Sequence, residues 1–228
     1  MKNKVNRLRV AIDGPAASGK NTLAKQIAKK YKLLHLDSGK LYRYFALQVY
    51  QSKDQKVNYS KLKQALKKLT LKKLKDKKLT TEPVTKIASI ISKKKRIRQM
   101  LKKVQHNLAY NPPKKFKGSV LDGRDIGTVI MPDAHVKVYL TASLNVRAIR
   151  RYKEYKKMGI NTTLAKVKSD IKKRDYEDTH RKISSLKPAK DAVLLDSSFY
   201  NTKAAFVEID KVIRNEIKRL NATKHKSL

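Results

Sequence analysis

A short stretch, Gly14 to Thr22 with the sequence GPAASGKNT, limits the folds open to this chain more than any other. It follows an apolar run, Leu8 to Ile12, and precedes a segment, Leu23 to Tyr31, with helical periodicity. A strand, a tight turn and a helix N-terminus in that order point backbone N–H groups into one small concavity, where a phosphate is the natural occupant. Gly14 and Gly19 let the chain bend sharply and let an anion approach main chain with no Cβ in the way. Lys20 adds a positive charge at the same spot. The Gly-x4-Gly-Lys pattern is weak alone and gains its meaning from the strand before it and the helix after it. Asn21 follows the lysine, and the hydroxyl comes one residue later at Thr22. That argues against a GTPase-like site, in which the hydroxyl next to the lysine binds magnesium. The chain also has no Asn-Lys-x-Asp segment to read guanine.

Four more apolar runs read as strands: Leu33 to Leu36, Ser119 to Leu121, His135 to Leu140 and Ala192 to Leu195. Helical patterns fall between them, from Lys40 to Gln51, from Ser143 as cap to about Met158, and from Leu164 to about Asp178. A last helix runs from Thr202 to Leu220 and ends in a frayed tail. Short buried strands alternating with helices indicate an α/β protein with a doubly wound, five-stranded parallel sheet. Ligands of such sheets bind at the carboxyl ends of the strands. Gly14, Asp37-Ser38-Gly39, Asp122 to Asp125 and Asp196-Ser197 all fall there, so polar clusters far apart in sequence converge. From Ser52 to Lys117 no strand-like run occurs, and two amphipathic helices are predicted, Tyr59 to Leu74 and Thr85 to Tyr110.

The chain has no cysteine, which is compatible with a reducing compartment. The basic N-terminus lacks the apolar stretch of a signal peptide, and no run approaches the ~18 apolar residues of a membrane span. A cytoplasmic protein without a membrane partner is expected. The five histidines are scattered without ligand spacing, so no protein-built metal site is expected. The formal charge of +39 attracts polyanions without choosing among them. Its lysine runs, Lys67 to Lys78 and Lys93 to Lys103, alternate with Leu and Ile at helical spacing and read as solvated helix faces. No specific nucleic-acid partner is expected, because no recognition-helix, zinc-finger or RNA-stacking pattern accompanies the charge.

Within Asp122-Gly123-Arg124-Asp125, Arg124 offers a planar fork suited to phosphate, and Asp125 offers acceptors suited to an exocyclic amine. A plain strand-end salt bridge on Arg124 is the alternative. Arg174, Asp178 and Arg181 recur at i, i+4 and i+7, on one helix face. Arg147, Arg150 and Arg151 make a similar ridge on the preceding helix, and the link from Lys153 to Thr163, with Gly159, has the form of a flap. Two arginine ridges over a phosphate turn would neutralise a transferring phosphoryl group and exclude water. The alternative is a pair of surface helices with ordinary ion pairs. Ser38 and Ser89 have no evident histidine partner. None is needed if the acceptor is itself a phosphate, already ionised at neutral pH.

With these residues assembled, the chain resembles the bacterial cytidylate kinases, a branch of the nucleoside monophosphate kinases. The stretches that carry the likeness are AIDGPAASGKNT, LDSGKLYR, RIR at 96–98, LDGRDIGTVIMPDA and KKRDYEDTHR. The likeness implies a fold of the P-loop NTPase type with a helical lobe for the nucleoside monophosphate and a small lid. The core would comprise residues 1–51 and 118–228, with the lid at about 152–182 and the lobe at 52–117. It implies a monomer that uses ATP with Mg2+ to phosphorylate CMP or dCMP. Gly14, Pro15, Ala16, Ala17, Ser18, Gly19, Lys20, Asn21 and Thr22 would hold the ATP phosphates, with the magnesium carried by ATP near Thr22. Ser38, Arg43 and Arg124, helped by Arg181, would hold the acceptor phosphate beside Asp37. Tyr42, Arg174 and Asp178 would contact the sugar. Ser89, Arg98 and Asp125 would read the cytosine edge, and Arg150 and Arg151 would be lid arginines. The catalytic set is then Lys20, Arg124, Arg150, Arg151, Arg174 and Arg181. The segment from Ser52 to Leu79 departs from the family, in which a longer, partly β insert is common. A phosphotransferase with another small acceptor and a basic nucleic-acid-binding protein are the alternative readings.

Overall fold

The computed structural model describes residues 7–200 and 202–225. Its five strands are β1 (Leu8–Asp13), β2 (Leu34–Asp37), β3 (Gly118–Gly123), β4 (Val136–Thr141) and β5 (Val193–Asp196), in the order β2-β3-β1-β4-β5. β1 runs parallel to both β3 and β4, and β4 parallel to β5. From β1 the chain crosses to the edge at β2, returns inward to β3, and then crosses to β4 and β5 on the other side, so connections leave to both sides of the central strand and the topological switch point falls at its end. Val10, Ala11 and Ile12 are fully buried, as a strand covered on both faces requires.

Helix α1 (Lys20–Tyr31) follows the glycine turn and buries Leu23, Ala24 and Ile27 in a core with Val10, Ile12, Val120, Val138 and Leu140. Ala205, Ile209 and Ile213, from the C-terminal helix Thr202–His225, complete that core. Each fully buried Leu, Ile or Val stabilises by about 1.5–3 kcal/mol, so this layer fixes the turn between β1 and α1 in place. The C-terminal helix runs past Leu220, where fraying is expected from sequence. Residues 226–228 of that tail, and the basic segment 1–6, lie outside the described residues.

Asp37–Asn107 form one compact unit, and the described residues on either side of that segment form the other. The smaller unit starts fifteen residues earlier than the position 52 expected from sequence, because α2 (Ser38–Tyr50) packs against α4 (Glu82–Ile91) and α3 (Tyr59–Lys67). It is helical throughout, closing with most of α5 (Lys95–Tyr110). The single helix predicted over Tyr59–Leu74 ends at Lys67, and two 3-10 turns, Lys73–Lys75 and Lys77–Thr80, replace its continuation. Like charges at Lys68 and Lys72 would repel across a helical turn, and the Asp76 carboxylate instead accepts the Lys78 N–H. The helix predicted over Thr85–Tyr110 is likewise two. Ser92 bonds back to the Ser89 carbonyl, and Lys93 to Arg96 put four cations in a row at the break. Every lysine from Lys53 to Lys78 is exposed. None of them is salt-bridged among the described residues, and Asp54 and Asp76 each accept a backbone N–H.

In the larger unit, Ser143 caps α6 (Leu144–Lys157) through the Val146 N–H, and Thr163 caps α7 (Leu164–His180) through the Lys166 N–H. These two helices pack on one another. A small core of Ala148, Val167 and Ile171 joins them, and Ala16 of the glycine turn belongs to the same core.

Candidate active site

The turn between β1 and α1 is built on positive φ angles at Gly14 (148°), Ala17 (59°) and Gly19 (94°). A Cβ at Gly14 would stand 2.0 Å from the Leu140 carbonyl oxygen, so the central strand can lie against β4 there only with glycine. At Gly19 the added atom would meet nothing nearer than a Leu140 methyl at 3.9 Å. The space beside Gly19 is therefore open for a ligand, and the glycine is required by its backbone angle. No side chain caps α1, and the positive end of its dipole at the turn favours an anion there.

Lys20 is buried, donating to the Pro15 carbonyl at 2.6 Å and to the Ser18 hydroxyl at 3.1 Å. Burial, and then the nearby charges of Arg124 and Arg174, push its ammonium well below the usual lysine range; Asp122 and Asp13 offset only part of this. Three cations thus converge beside an anion-binding turn. An arrangement of that kind is electrostatically unfavourable until a polyanion enters it.

Asp13, the last residue of β1, is buried and accepts the N–H groups of Ile126 (2.8 Å) and Gly127 (2.7 Å), one on each oxygen. Burial pushes its pKa up to about 6 against the pull of those two bonds. The carboxylate fastens the π-helical turn Ile126–Ile130, and so fixes Arg124 and Asp125 just before it.

Arg124 donates from Nε to Asp178 at 2.8 Å and from Nη1 to the Gly123 carbonyl at 3.2 Å. Asp178 also accepts from Arg181 at 3.2 Å. Burial alone would raise the Asp178 pKa, but Arg124, Arg174 and Arg181 outweigh it and hold the carboxyl below its usual range. Arg181 lies one residue beyond the end of α7, not on its face as the i+7 spacing predicts, and it reaches the cluster through Asp178. The salt bridge considered for Arg124 is therefore present, and it ties Arg124 into the cationic cluster.

The ridge expected on α6 divides. Arg147 is buried, donating to the carbonyls of Ala142 and Ala16 and pairing with Asp175. Arg150 donates to the Ser197 hydroxyl at 3.0 Å and the Ser197 carbonyl at 2.7 Å. Arg151 turns to Glu154 at 2.8 Å and lies over the Tyr155 ring, away from the others. Thr22 is exposed on the first turn of α1 and Asn21 is half-buried.

The smaller unit holds the remaining expected residues. The Asp37 carboxylate caps α2 through the Lys40 N–H, and a Cβ on Gly39 would touch both that carboxylate and the Arg43 guanidinium. Ser38 donates to Gln105 at 2.7 Å, and Arg98 lies 5.5 Å from the Tyr42 ring centre while donating to the Ser92 carbonyl. Ser89 is half-buried on α4. Asp13, Asp175 and Gln105 escape the sequence reading, and Arg147, read there as part of a ridge, is instead buried against Asp175. Asp13 and Asp175 stand directly beside Gly14 and Arg174, and that adjacency is the one signal that could have found them.

A parallel sheet whose central strand runs into a glycine turn with a buried lysine, an uncapped helix start and converging arginines defines a P-loop α/β protein built to hold nucleotide phosphates. A crystal structure of an uncharacterized protein from Eubacterium ventriosum shares this fold, with a TM-score of 0.52 at 14% identity, covering 91% of this chain and 98% of that one. Residues 10–218 match the cytidylate kinase family model, and the chain belongs to that family. The cytidylate kinase of Streptococcus mutans is 39% identical over 228 residues, covering 93% of this chain and 98% of its own. That of Bradyrhizobium diazoefficiens is 46% identical over 189 residues, covering 83% and 87%.

Proposed function

We propose that the chain transfers the γ-phosphoryl group of ATP to CMP or dCMP, giving ADP and CDP or dCDP. The observation that carries this is the convergence of Lys20, Arg124 and Arg174 on the glycine turn, with burial disfavouring the lysine's charge until phosphate arrives. An oxygen of the acceptor phosphate bonds to the γ-phosphorus as the bond from that phosphorus to the β,γ-bridging oxygen breaks. The electron pair leaves on ADP. The attacking oxygen is already ionised at neutral pH, so no protein base is needed, and catalysis rests on alignment and charge stabilisation.

In this reading the turn and the start of α1 hold the triphosphate, and Lys20 bridges to the transferred group. Arg124, Arg174 and Arg181 neutralise charge as it shifts between donor and acceptor. Asp178 keeps Arg124 and Arg181 at fixed orientation and also meets the sugar. Ser38 and Arg43 hold the acceptor phosphate, Tyr42 the sugar, and Ser89, Arg98 and Asp125 the cytosine edge. Arg150, held on Ser197, completes the donor side.

Magnesium bound with ATP would supply charge neutralisation at the phosphates. Among the described residues no three His, Cys, Asp or Glu are grouped to hold a metal, and both Asp13 oxygens are engaged by backbone. The open cradle fits a metal carried chiefly by the triphosphate, with Thr22 as the protein hydroxyl at the start of α1. No helix among the described residues is long and apolar enough to cross a membrane. We place the enzyme in the cytoplasm as a monomer, and a measured mass of twice the chain in solution would contradict the latter.

The deciding assay couples ADP release to CMP, dCMP, UMP and AMP in turn. CMP and dCMP should turn over well ahead of UMP, which offers an acceptor where cytosine offers an amine and leaves polar groups unpaired. Equal rates on UMP and CMP would reject the readout by Asp125 and Arg98. No turnover on any of the four would reject the reaction itself.

A further inference from the structure

We infer that Asp175 is a positioning residue that fastens the phosphate turn to α7, so that filling the turn and setting the arginines opposite it are one event. This deepens the reading of the turn as an ATP cradle and rests on it. Ala16, in the middle of the turn, has both backbone groups committed to the α6–α7 pair. Its N–H donates to Asp175 Oδ1 at 3.1 Å, and its carbonyl accepts from Arg147 Nη1 at 3.1 Å. The loop closes on itself, because Arg147 also pairs with Asp175 Oδ2. Arg147 is further anchored by Nε to the Ala142 carbonyl at 2.8 Å, at the end of β4.

Two members of the clasp are buried and Asp175 is half-buried. Arg147 is 7% exposed and Ala16 4%, and Ala16 packs with Ala148, Val167 and Ile171. In such surroundings a half-made ion pair is costly, so the fastening is either whole or broken. Asp175 sits next to Arg174 on α7, and one turn further lies Asp178, which holds Arg124 and Arg181. The carboxylate that grips the turn, one cation of the clamp (Arg174) and the carboxylate that holds the other two thus lie within the five residues Arg174 to Asp178 of one helix. A shift of the turn on binding phosphate is passed through Ala16 to α7, and by linkage a clamp set by the acceptor must tighten the turn to the same degree. Asp175 touches no reacting atom in this scheme. Its carboxylate makes the turn and the clamp a single body.

The test uses the full chain and measures by calorimetry the affinity for CMP alone, for Mg-ADP alone, and for CMP with Mg-ADP saturating. In the wild-type protein Mg-ADP should tighten CMP by at least about fivefold, the low end of ordinary coupling between sites. Asp175→Ala should bring that ratio below about twofold while each ligand still binds alone. Asp175→Asn, which keeps an acceptor for Ala16 and loses the charge facing Arg147, should fall between them. A residue that served stability alone would lower the melting temperature and leave the ratio unchanged. Asp175→Ala with the full wild-type ratio overturns the inference, as does a wild-type protein in which Mg-ADP leaves CMP affinity unaltered. If the alanine variant shows no cooperative melt, Asp175→Asn decides, and retention of the full ratio there overturns the inference. A wild-type protein that binds neither CMP nor Mg-ADP defeats the kinase reading itself, a separate and recognisable outcome.

Discussion

Replacing Lys20 by Met separates a lysine kept for chemistry from one kept for the fold. The ammonium is buried and pushed down by that burial, then by Arg124 and Arg174. A group whose folded pKa is depressed contributes its full stability above the unfolded value of 10.5 and loses it as pH falls through the folded pKa. Keeping this ammonium charged in the unliganded protein therefore costs stability. Substituting apolar side chains for buried charges is neutral or stabilising by about 1–4 kcal/mol. The lost bonds to the Pro15 carbonyl and the Ser18 hydroxyl work against this by about 1–3 kcal/mol. The two nearly cancel, so the melting temperature of Lys20→Met should stay within about 5 °C of wild type, at roughly 2–4 °C per kcal/mol for a chain of this size. Turnover should fall by about 10²–10³, the usual loss when one preorganised charge at a reacting group is removed. Saturating Mg-ATP at about 100 Kd should raise the wild-type melting point by about 5–10 °C, from ~2.7 kcal/mol of linked binding, and raise the variant's far less. Differential scanning fluorimetry with and without nucleotide, beside a coupled rate assay, reads all three quantities. A variant that melts more than about 10 °C lower, or that keeps turnover within tenfold, refutes the reasoning.

Gly14→Ala puts a Cβ 2.0 Å from the Leu140 carbonyl oxygen and should cost several kcal/mol, whereas Gly19→Ala meets open space and should cost about 1–2 kcal/mol for its backbone angle alone; urea denaturation of the two orders them. Asp13 should impose an acid limb on kcat/KM for ATP near pH 6, because a protonated carboxyl grips the Ile126 and Gly127 N–H groups less firmly. Its stability contribution has the opposite sense, full below pH 3.8 and lost as pH rises through about 6, so a profile flat from pH 5 to 8 would contradict this role. Asp210 accepts from Lys30 and Tyr31 at 2.8 Å each and pairs with Arg214, and these partners outweigh burial to lower its pKa. Asp210→Ala should cost about 1–3 kcal/mol at pH 7, and the difference from wild type should shrink as pH falls through the carboxyl's depressed pKa, as measured by denaturant melts. Phe45→Ala, at a fully buried position of α2, should cost about 3–5 kcal/mol by the same measurement.

The strands were legible because a parallel strand covered on both faces is mostly apolar, and Leu8 to Ile12 is interrupted only by Arg9 and Val136 to Leu140 only by Lys137. The phosphate turn was legible because its glycines, lysine and flanking elements occur in a fixed order. The lysine-rich lobe was less so. Leu62 is buried on α3, and the two 3-10 turns bury Leu74 and Leu79 just as well as a longer helix would. Periodicity cannot tell these apart where like charges weaken the helix. Arg147 reads in sequence as part of a solvent-facing ridge with Arg150 and Arg151, because the ion pair that buries it comes from Asp175, on the next helix. Asp13 and Asp175 are single carboxylates without a spacing of their own. Their roles depend on backbone N–H groups at Ile126, Gly127 and Ala16, which side-chain patterns do not reveal.

The unpaired lysines between Lys53 and Lys78 have a consequence for handling the protein. Two carboxylates, Asp54 and Asp76, stand against eleven lysines between 53 and 78, so this surface depends largely on dissolved anions for screening. In dilute buffer, where repulsion reaches out to about 30 Å, these ammonium groups push against one another; near physiological salt that reach shrinks to about 8 Å. The helical lobe should loosen first when the protein is dialysed into low-salt solution and regain its protection from hydrogen exchange when phosphate or sulfate is returned.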